Sequence, residues 1–358
     1  MSSSPTVSSR RGRPSPALSM PSSMRRPKRC GRTISGRTVD EFSLIDRYLA
    51  PLAIEGAVGL QDDAALFEGM IITKDLLVDG VHFRSCDGWG AAAQKALRVN
   101  ISDLVACGAR PAAFALGVVW PKAVTEEEIA AFMEGLSADC ARYGLGLIGG
   151  DTTRHRADSG PLTISVTMVG PPAPEGPLRR SGAQVGDVVM VTGTIGEAVL
   201  GLKSLLGEIA PTSEGVEAYL RPRPPIDLVD ALARYAHAAI DISDGLLADA
   251  THIAEASGVV LGLDAAAIPL SPSARAYAED SGDALLSLLG GGDDYQVIAT
   301  VPQDNVDPLR AAAATAQVPL TSIGEVREGA AGTVLRGGDG KEIAFGADHS
   351  PAGFRHFP

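Results

Sequence analysis

Short apolar strands alternate with helical stretches along almost the whole chain, and the alternation is interrupted once, by a run of backbone breakers. This pattern limits the fold more than any other feature of the sequence. In the first half, Glu41–Leu49 spaces its apolar residues as a short amphipathic helix, and Met70–Thr73 reads as a short strand. Trp89–Cys107 reads as a helix and Phe114–Trp120 as a strand. Thr125–Tyr143 follows as a helix with Thr125 and Glu128 in capping-box spacing, then Leu145–Ile148 as a buried strand and Leu162–Val169 as another. The breaker-dense stretch Gly170-Pro-Pro-Ala-Pro-Glu-Gly-Pro places a domain boundary. Beyond it, strands at Asp187–Gly193, Ala238–Ile242 and Tyr295–Val301 alternate with helices at Gly245–Ala256 and Asp307–Ala316. No repeat of fixed period occurs. The expected class is α/β (mixed α+β), with an N-terminal domain over residues 40–170 and a C-terminal domain over 171–358.

Residues 1–39 stand apart. They hold nine cations and no acid, are rich in Ser and Pro, and are expected to be a disordered basic tail. Arg-rich and acid-free is also how a transit peptide reads, although translation from an upstream start is the preferred expectation; the lack of an apolar run excludes a secretory signal. Setting the tail aside leaves 22 bases against 43 acids, a net charge of −21 on the remainder. That acidity, with aromatics at 4%, argues against nucleic acid as a partner. No stretch of 18 apolar residues is present, so no membrane partner is expected. Four scattered cysteines without a C-x-x-C pair suit a reducing, cytoplasmic setting.

Gly144-Leu-Gly146-Leu-Ile-Gly149 matches the dinucleotide fingerprint by letters, but a helix precedes it and a strand runs through it, the reverse of what that fold requires. A P-loop and protein-kinase signatures are absent. The distinctive feature is aspartate in loops at or near the ends of apolar strands: Asp62 and Asp63, Asp75, Asp103, Asp151, Asp241 and Asp244, Asp293 and Asp294. Any one alone reads as a turn or cap residue. Gathered by a fold, so many carboxylates repel and need cations, and short hard oxygen ligands suit Mg²⁺. Magnesium on an acidic protein points to a polyphosphate ligand. Gly149–Thr153 offers bare backbone N–H groups, and Arg179 and Arg180 offer guanidinium, for the same phosphate oxygens. The residues alone thus give a magnesium-dependent, nucleotide-using enzyme without a P-loop.

At these residues the chain resembles the thiamine-monophosphate kinase family, of the aminoimidazole-ribonucleotide synthetase superfamily, over about residues 41–357. The matching stretches include Asp62-Asp63-Ala-Ala, Asp75 with Gly80-Val-His82-Phe, and Lys95-Ala-Leu-Arg-Val-Asn100-Ile-Ser-Asp103. They continue with Ile148-Gly-Gly150-Asp151-Thr-Thr-Arg, Arg180-Ser-Gly-Ala, Ile240-Asp241-Ile-Ser243-Asp244-Gly and Gly291-Gly-Asp293-Asp-Tyr295. The resemblance implies transfer of the γ-phosphate of ATP onto thiamine monophosphate, giving thiamine diphosphate, the last step of its biosynthesis. It implies a two-domain fold whose N-terminal domain pairs in a homodimer, with ATP in the cleft between domains. It implies several Mg²⁺ ions at Asp63, Thr73, Lys74, Asp75, Asp103, Asp151, Asp241 and Asp244; ATP at Gly150, Asp151, Arg180 and Ser243; and thiamine phosphate at His82, Asp293 and Phe354. The acceptor is an ionised phosphate oxygen, so no residue is assigned as acid or base.

Three positions depart from the family pattern. Gln61 stands where glycine is usual, Lys74 where a small hydroxyl residue is common, and Asp293 where Glu is usual. Lys95 and Arg98 are expected on a solvated or dimer-facing helix surface. The alternatives are another ATP-using enzyme of the same superfamily and a non-catalytic nucleotide- or metal-binding relative. The reactive N-terminal cysteine context of selenophosphate synthetase is missing, and the chain ends His356-Phe-Pro without the terminal cysteine of the hydrogenase-maturation relative.

Overall fold

Two mixed sheets share one long buried helix, and a computed structural model describes residues 41–345 of this arrangement. The basic tail and Phe354 lie outside the described residues. The chain enters through α1 (Glu41–Leu44), continued by a π-helical turn at Ile45–Leu49, where the sequence suggests one amphipathic helix. A five-stranded sheet follows in the order β1-β2-β5-β3-β4, from β1 (Ala65–Phe67), β2 (Met70–Val78), β3 (Ala113–Trp120), β4 (Gly146–Arg154) and β5 (Thr163–Gly170). All its pairings are antiparallel except β3 with β4. Strict alternation of buried and half-buried residues along β3 and β5 turns Phe114, Leu116, Val118, Ile164, Val166 and Met168 to one face. Two helices, α2 (Trp89–Ala106) and α3 (Glu126–Tyr143), accompany this sheet, and α2 packs on β2, β5 and α3. The capping box at the start of α3 is present: Glu128 N donates to Thr125 Oγ1 at 3.2 Å, and Thr125 N donates to Glu128 Oε2 at 2.9 Å.

Among the described residues nothing covers the opposite face of the five-stranded sheet. Leu76 is 54% exposed there, and every residue of β4 is exposed, with Leu147 at 58% and Ile148 at 66%. The expectation of a buried strand at 145–148 is therefore corrected. The run is apolar, but β4 is an edge strand, exposed at every position among the described residues.

The second sheet has seven strands in the order β12-β11-β8-β10-β6-β9-β7. It is built from β6 (Val188–Thr192), β7 (Ala238–Asp241), β8 (Val260–Asp264), β9 (Val297–Val301), β10 (Leu320–Arg327), β11 (Gly332–Arg336) and β12 (Glu342–Ile343). Between these strands come α4 (Glu197–Leu205), α5 (Ser213–Leu220), α6 (Val229–Tyr235), α7 (Leu246–Ser257), α8 (Pro272–Glu279), α9 (Gly282–Leu289) and α10 (Val306–Thr315). Alternate residues of β7 and β9 feed two cores. Ala239, Val297, Ala299 and Val301 join a core that runs through Leu97 and Leu104 of α2 to Phe114 and Val166 of the first sheet. Ala238, Ile240 and Ile298 join a second core with Leu246, Leu247, Ala250 and Ile253 of α7.

The helix α2 is central to both sheets. Fourteen of its 18 residues are buried, so it is apolar on nearly all sides, as a helix enclosed by protein must be. Its charged members need buried partners. Lys95 is 1% exposed and Arg98 4%, which overturns the solvated placement expected for them. Arg98 grips Asp139 of α3 through Nε at 2.6 Å and Nη2 at 2.8 Å, and Nη1 donates to the carbonyls of Arg221 and Pro222 at 3.2 Å. Gln94 Nε2 adds a donor to Asp139 at 3.0 Å. Every guanidinium nitrogen and carboxylate oxygen in this pair has a partner, the condition under which a buried ion pair is tolerated. Asp139→Ala strands the Arg98 charge and is expected to lower stability by about 3–5 kcal/mol in a denaturant melt. The double variant Arg98→Met/Asp139→Leu is expected to recover most of that loss.

Candidate active site

Four aspartates from four separate segments meet beside α2. Asp63 comes from the loop before β1, Asp75 from β2, Asp103 from α2 and Asp241 from the last position of β7. One of these placements corrects the expectation of strand-end loops: Asp75 lies inside a strand that runs nine residues to Val78, whereas Asp103 lies on the helix expected over Trp89–Cys107. Period-two alternation sends Thr73 and Asp75 of β2 to the face that α2 covers, and Lys74 to the other. Lys74 consequently stays out of the cluster: its ammonium is exposed and bonds Ser165 Oγ across the neighbouring strand at 2.5 Å. Thr73 Oγ1 donates to Asp103 Oδ2 at 2.5 Å and lies 3.3 Å from the carbonyl oxygen of Asp63.

Burial and mutual repulsion dominate the electrostatics. Asp103 is held well above the usual carboxylate range, by burial first and then by Asp75, Asp241 and Asp63. Asp241 is raised in the same way, by burial and then Asp63, with Arg180 offsetting part. Burial pushes Asp75 up to about 6; a hydrogen bond with Asp103 offsets part of the shift, and Asp63 adds to it. The guanidinium of Arg180 faces this group, and its Nε donates to Asp63 Oδ1 at 3.0 Å. Its neighbours support the same loop: Arg180 N and Arg179 Nη1 donate to Asp62 at 2.8 and 2.9 Å. Asp75 Oδ2 and Asp241 Oδ2 are buried without a hydrogen-bond partner. Buried carboxylate oxygens left unmatched are costly. These hard oxygens, with Thr73 between them, fit a magnesium ion in both number and chemistry.

The loop that carries Asp63 also answers the Gln61 departure. Gln61 takes an ordinary backbone (φ −103°), and the left-handed turn falls on Val58, Gly59 and Leu60 instead. The substitution therefore sits where a side chain is tolerated.

A second group of ligand-type side chains lies behind Arg180. Asp244, Asp249 and His252 bring ligand atoms within 4.8 Å of one another. Asp249 Oδ2 accepts from the backbone N–H groups of Asp244 and Gly245 at 3.1 Å, holding the turn that starts α7. Burial first, and then Arg180, pushes His252 down to about 4, so the imidazole is neutral at pH 7. Neither Asp249 nor His252 was singled out in the sequence; their i, i+3 spacing just after Asp241-Ile-Ser-Asp-Gly was the available signal.

The residues expected to hold ATP do not all meet. Asp151 is exposed on β4, where its Oδ1 accepts from Thr152 N at 2.8 Å, away from the four buried aspartates. Gly150 has a packing reason to be glycine, because a Cβ there would lie 1.9 Å from the Leu116 carbonyl oxygen across the parallel β3–β4 ladder. Ser243 lies just after β7, and its carbonyl accepts from Asp293 N at 2.8 Å. Gly292 has φ +72°, and a Cβ there would come within 2.3 Å of that carbonyl, so the approach of the two loops requires glycine.

His82 and Asp293 are brought to one point by a residue not assigned from the sequence. Lys95 Nζ donates to the His82 carbonyl and to Asp293 Oδ2, each at 3.0 Å. His82 Nδ1 accepts from Val78 N at 3.0 Å, so a neutral ring carries its proton on Nε2. Asp293 sits in a left-handed turn (φ +64°), a conformation Asp tolerates better than most side chains.

The comparisons fit this architecture. The family model for the N-terminal domain of AIR synthase related protein matches residues 61–171, and that for the C-terminal domain matches residues 184–336. The paired domains make the chain a member of the AIR synthase related family, a class of two-domain proteins. The thiamine-monophosphate kinase of Caulobacter vibrioides is 40% identical over 301 residues, covering 81% of this chain and 84% of that protein. A solved structure of AaThiL complexed with AMPPCP and TMP matches with a TM-score of 0.75 at 32% identity, covering 89% of this chain and 97% of that one. The thiamine-monophosphate kinase of Stenotrophomonas maltophilia matches with a TM-score of 0.69 at 37% identity, covering 86% of this chain and 98% of that one. Within the AIR synthase related proteins, the chain belongs to the thiamine-monophosphate kinase family.

Metal and protons compete for the same carboxylates. In metal-free protein the raised Asp75 contributes stability that is full below its unfolded value near 3.8 and is lost as pH rises through about 6. Added Mg²⁺ is therefore expected to raise Tm clearly at pH 8 and little at pH 5 in thermal melts. Asp241→Asn is expected to shrink the pH 8 shift.

Proposed function

We propose that this chain transfers the γ-phosphoryl group of ATP onto the phosphate of thiamine monophosphate, yielding thiamine diphosphate and ADP. The convergence of Asp63, Thr73, Asp75, Asp103 and Asp241 carries the reading, supported by the 40% identical relative and by the AaThiL complex with AMPPCP and TMP. These residues, with Asp244 beside them, would hold Mg²⁺. When bound, the metal neutralises charge on the transferring phosphates. The acceptor phosphate oxygen attacks the γ-phosphorus, its bond to the β–γ bridging oxygen breaks, and ADP leaves. An ionised acceptor has no proton to lose, so the chain's own contribution is placement and charge. In this reading Arg180, Ser243, Gly150 and Asp151 serve ATP, and His82 and Asp293 face thiamine phosphate, with Phe354 beyond the described residues.

The reading includes a homodimer paired through the open face of the five-stranded sheet. Among the described residues Leu76 stands uncovered on that face, Ile148 is exposed at the bulge of β4, and β4 offers an unpaired edge. Asp151 and Gly150 lie on that same strand, so pairing would complete their surroundings. We also place the reaction in the cytoplasm, with support from the free thiols of Cys86, Cys107 and Cys140. Among the described residues no helix is long and apolar enough to cross a membrane.

Incubation with ATP, Mg²⁺ and thiamine monophosphate, followed by oxidation to fluorescent thiochromes, is expected to give Mg²⁺-dependent thiamine diphosphate. Asp241→Asn is expected to lower kcat by about 100-fold or more. Folded protein that binds ATP and makes no thiamine diphosphate would overturn the acceptor assignment and leave another superfamily reaction in its place. Light scattering on Leu76→Asp and Ile148→Asp is expected to show monomer where the parent chain shows dimer.

A further inference from the structure

A lysine enclosed by protein is costly unless its charge is matched, so what Lys95 touches indicates what it is for. Its ammonium joins three segments distant in sequence. It donates to the His82 carbonyl in the loop after β2 and to Asp293 Oδ2 in the loop before β9, and it lies 3.9 Å from the ring centroid of Tyr219 on α5. Lys95 is 1% exposed, whereas the Asp293 side chain keeps 27% of its surface open. The charge pair is thus sealed on the lysine side and open on the carboxylate side. Tyr295 gives Asp293 a second hydrogen bond from a buried hydroxyl. Asp293 is also a methylene shorter than the Glu usual at this position, so its reach depends on how it is held.

We propose that Lys95 is a positioning residue for the acceptor substrate. It holds the Asp293 carboxylate aimed outward, and fixes the His82 loop against it, so that a cationic, nitrogen-rich ring bearing a phosphate is recognised at that opening. Lys95 itself touches no reacting atom. Because the His82 carbonyl and the Asp293 carboxylate both bind this ammonium and Tyr219 of α5 lies against it, one ammonium sets the separation of the two substrate-facing groups. This inference rests on thiamine monophosphate as the acceptor, and it assigns the residue that sets affinity for that substrate alone.

The test is steady-state kinetics of the Mg²⁺-loaded enzyme with each substrate varied in turn. Lys95→Met keeps the length and apolar packing of the side chain and removes the charge. It is expected to raise KM for thiamine monophosphate about tenfold or more, the loss of a charge-assisted hydrogen bond, with KM for ATP within about twofold. Asp293→Asn is expected to do the same, and the double variant to be no worse than the weaker-binding single variant, because both changes disable one unit. A folded Lys95→Met enzyme with unchanged KM for thiamine monophosphate, or singles whose effects multiply in the double, would overturn the proposal. Should Lys95→Met not fold, Lys95→Gln is measured in its place against the same criteria. A parent enzyme that makes no thiamine diphosphate would instead overturn the acceptor assignment, which keeps the two failures distinct.

Discussion

Repulsion among buried carboxylates is the constraint on which the rest of the structure depends. Asp63, Asp75, Asp103 and Asp241 come from a loop, a strand, a helix and a second sheet; burial raises the proton affinity of all four, and Asp63 raises that of the other three further. Nothing in the apolar cores on either side repays that cost. The chain answers with Arg180 against Asp63 and leaves Asp75 Oδ2 and Asp241 Oδ2 unmatched, so the remaining compensation falls to protonation or, in the proposed reading, to a bound cation. An acidic centre of this kind is well suited to phosphates, which repel it until the same cation lies between them.

The alternation of strands and helices was legible because it is local: each element declares its period within a dozen residues. The capping box at Thr125 and Glu128 was legible for the same reason. The acidic set was legible as a set, because many short carboxylates beside glycines imply a common purpose even before their meeting point is known. Their local settings were not. Asp75 reads as a strand-end residue because charge is unexpected inside a strand; the period-two pattern places it beside Thr73 on the covered face, where the other acids already lie.

Lys95 and Arg98 show where sequence reading stops. Three residues apart on a helix, they look like a solvated stripe. Both are buried, because the partners that neutralise them are distant in the chain: Asp139 is 41 residues from Arg98, and Asp293 is 198 from Lys95. Leu147 and Ile148 fail in the opposite sense. Their apolarity reads as burial, yet they lie bare on an edge strand. Hydrophobicity says that a surface needs cover without saying whether the cover belongs to the same chain.

Lys95 faces the His82–Asp293 opening, and Asp103 faces the acidic cluster, eight residues later on the same unbroken helix. At 1.5 Å per residue the two stations are about 12 Å apart along the axis. In the proposed reading, the spacing between substrate recognition and phosphate chemistry is therefore written into the pitch of a helix that is gripped on nearly every side. The helix acts as a ruler, and its markings cannot be edited singly. Inserting one residue between the stations would turn one against the other by about 100° as well as lengthening the gap, so the distance can change only when the whole rod is replaced.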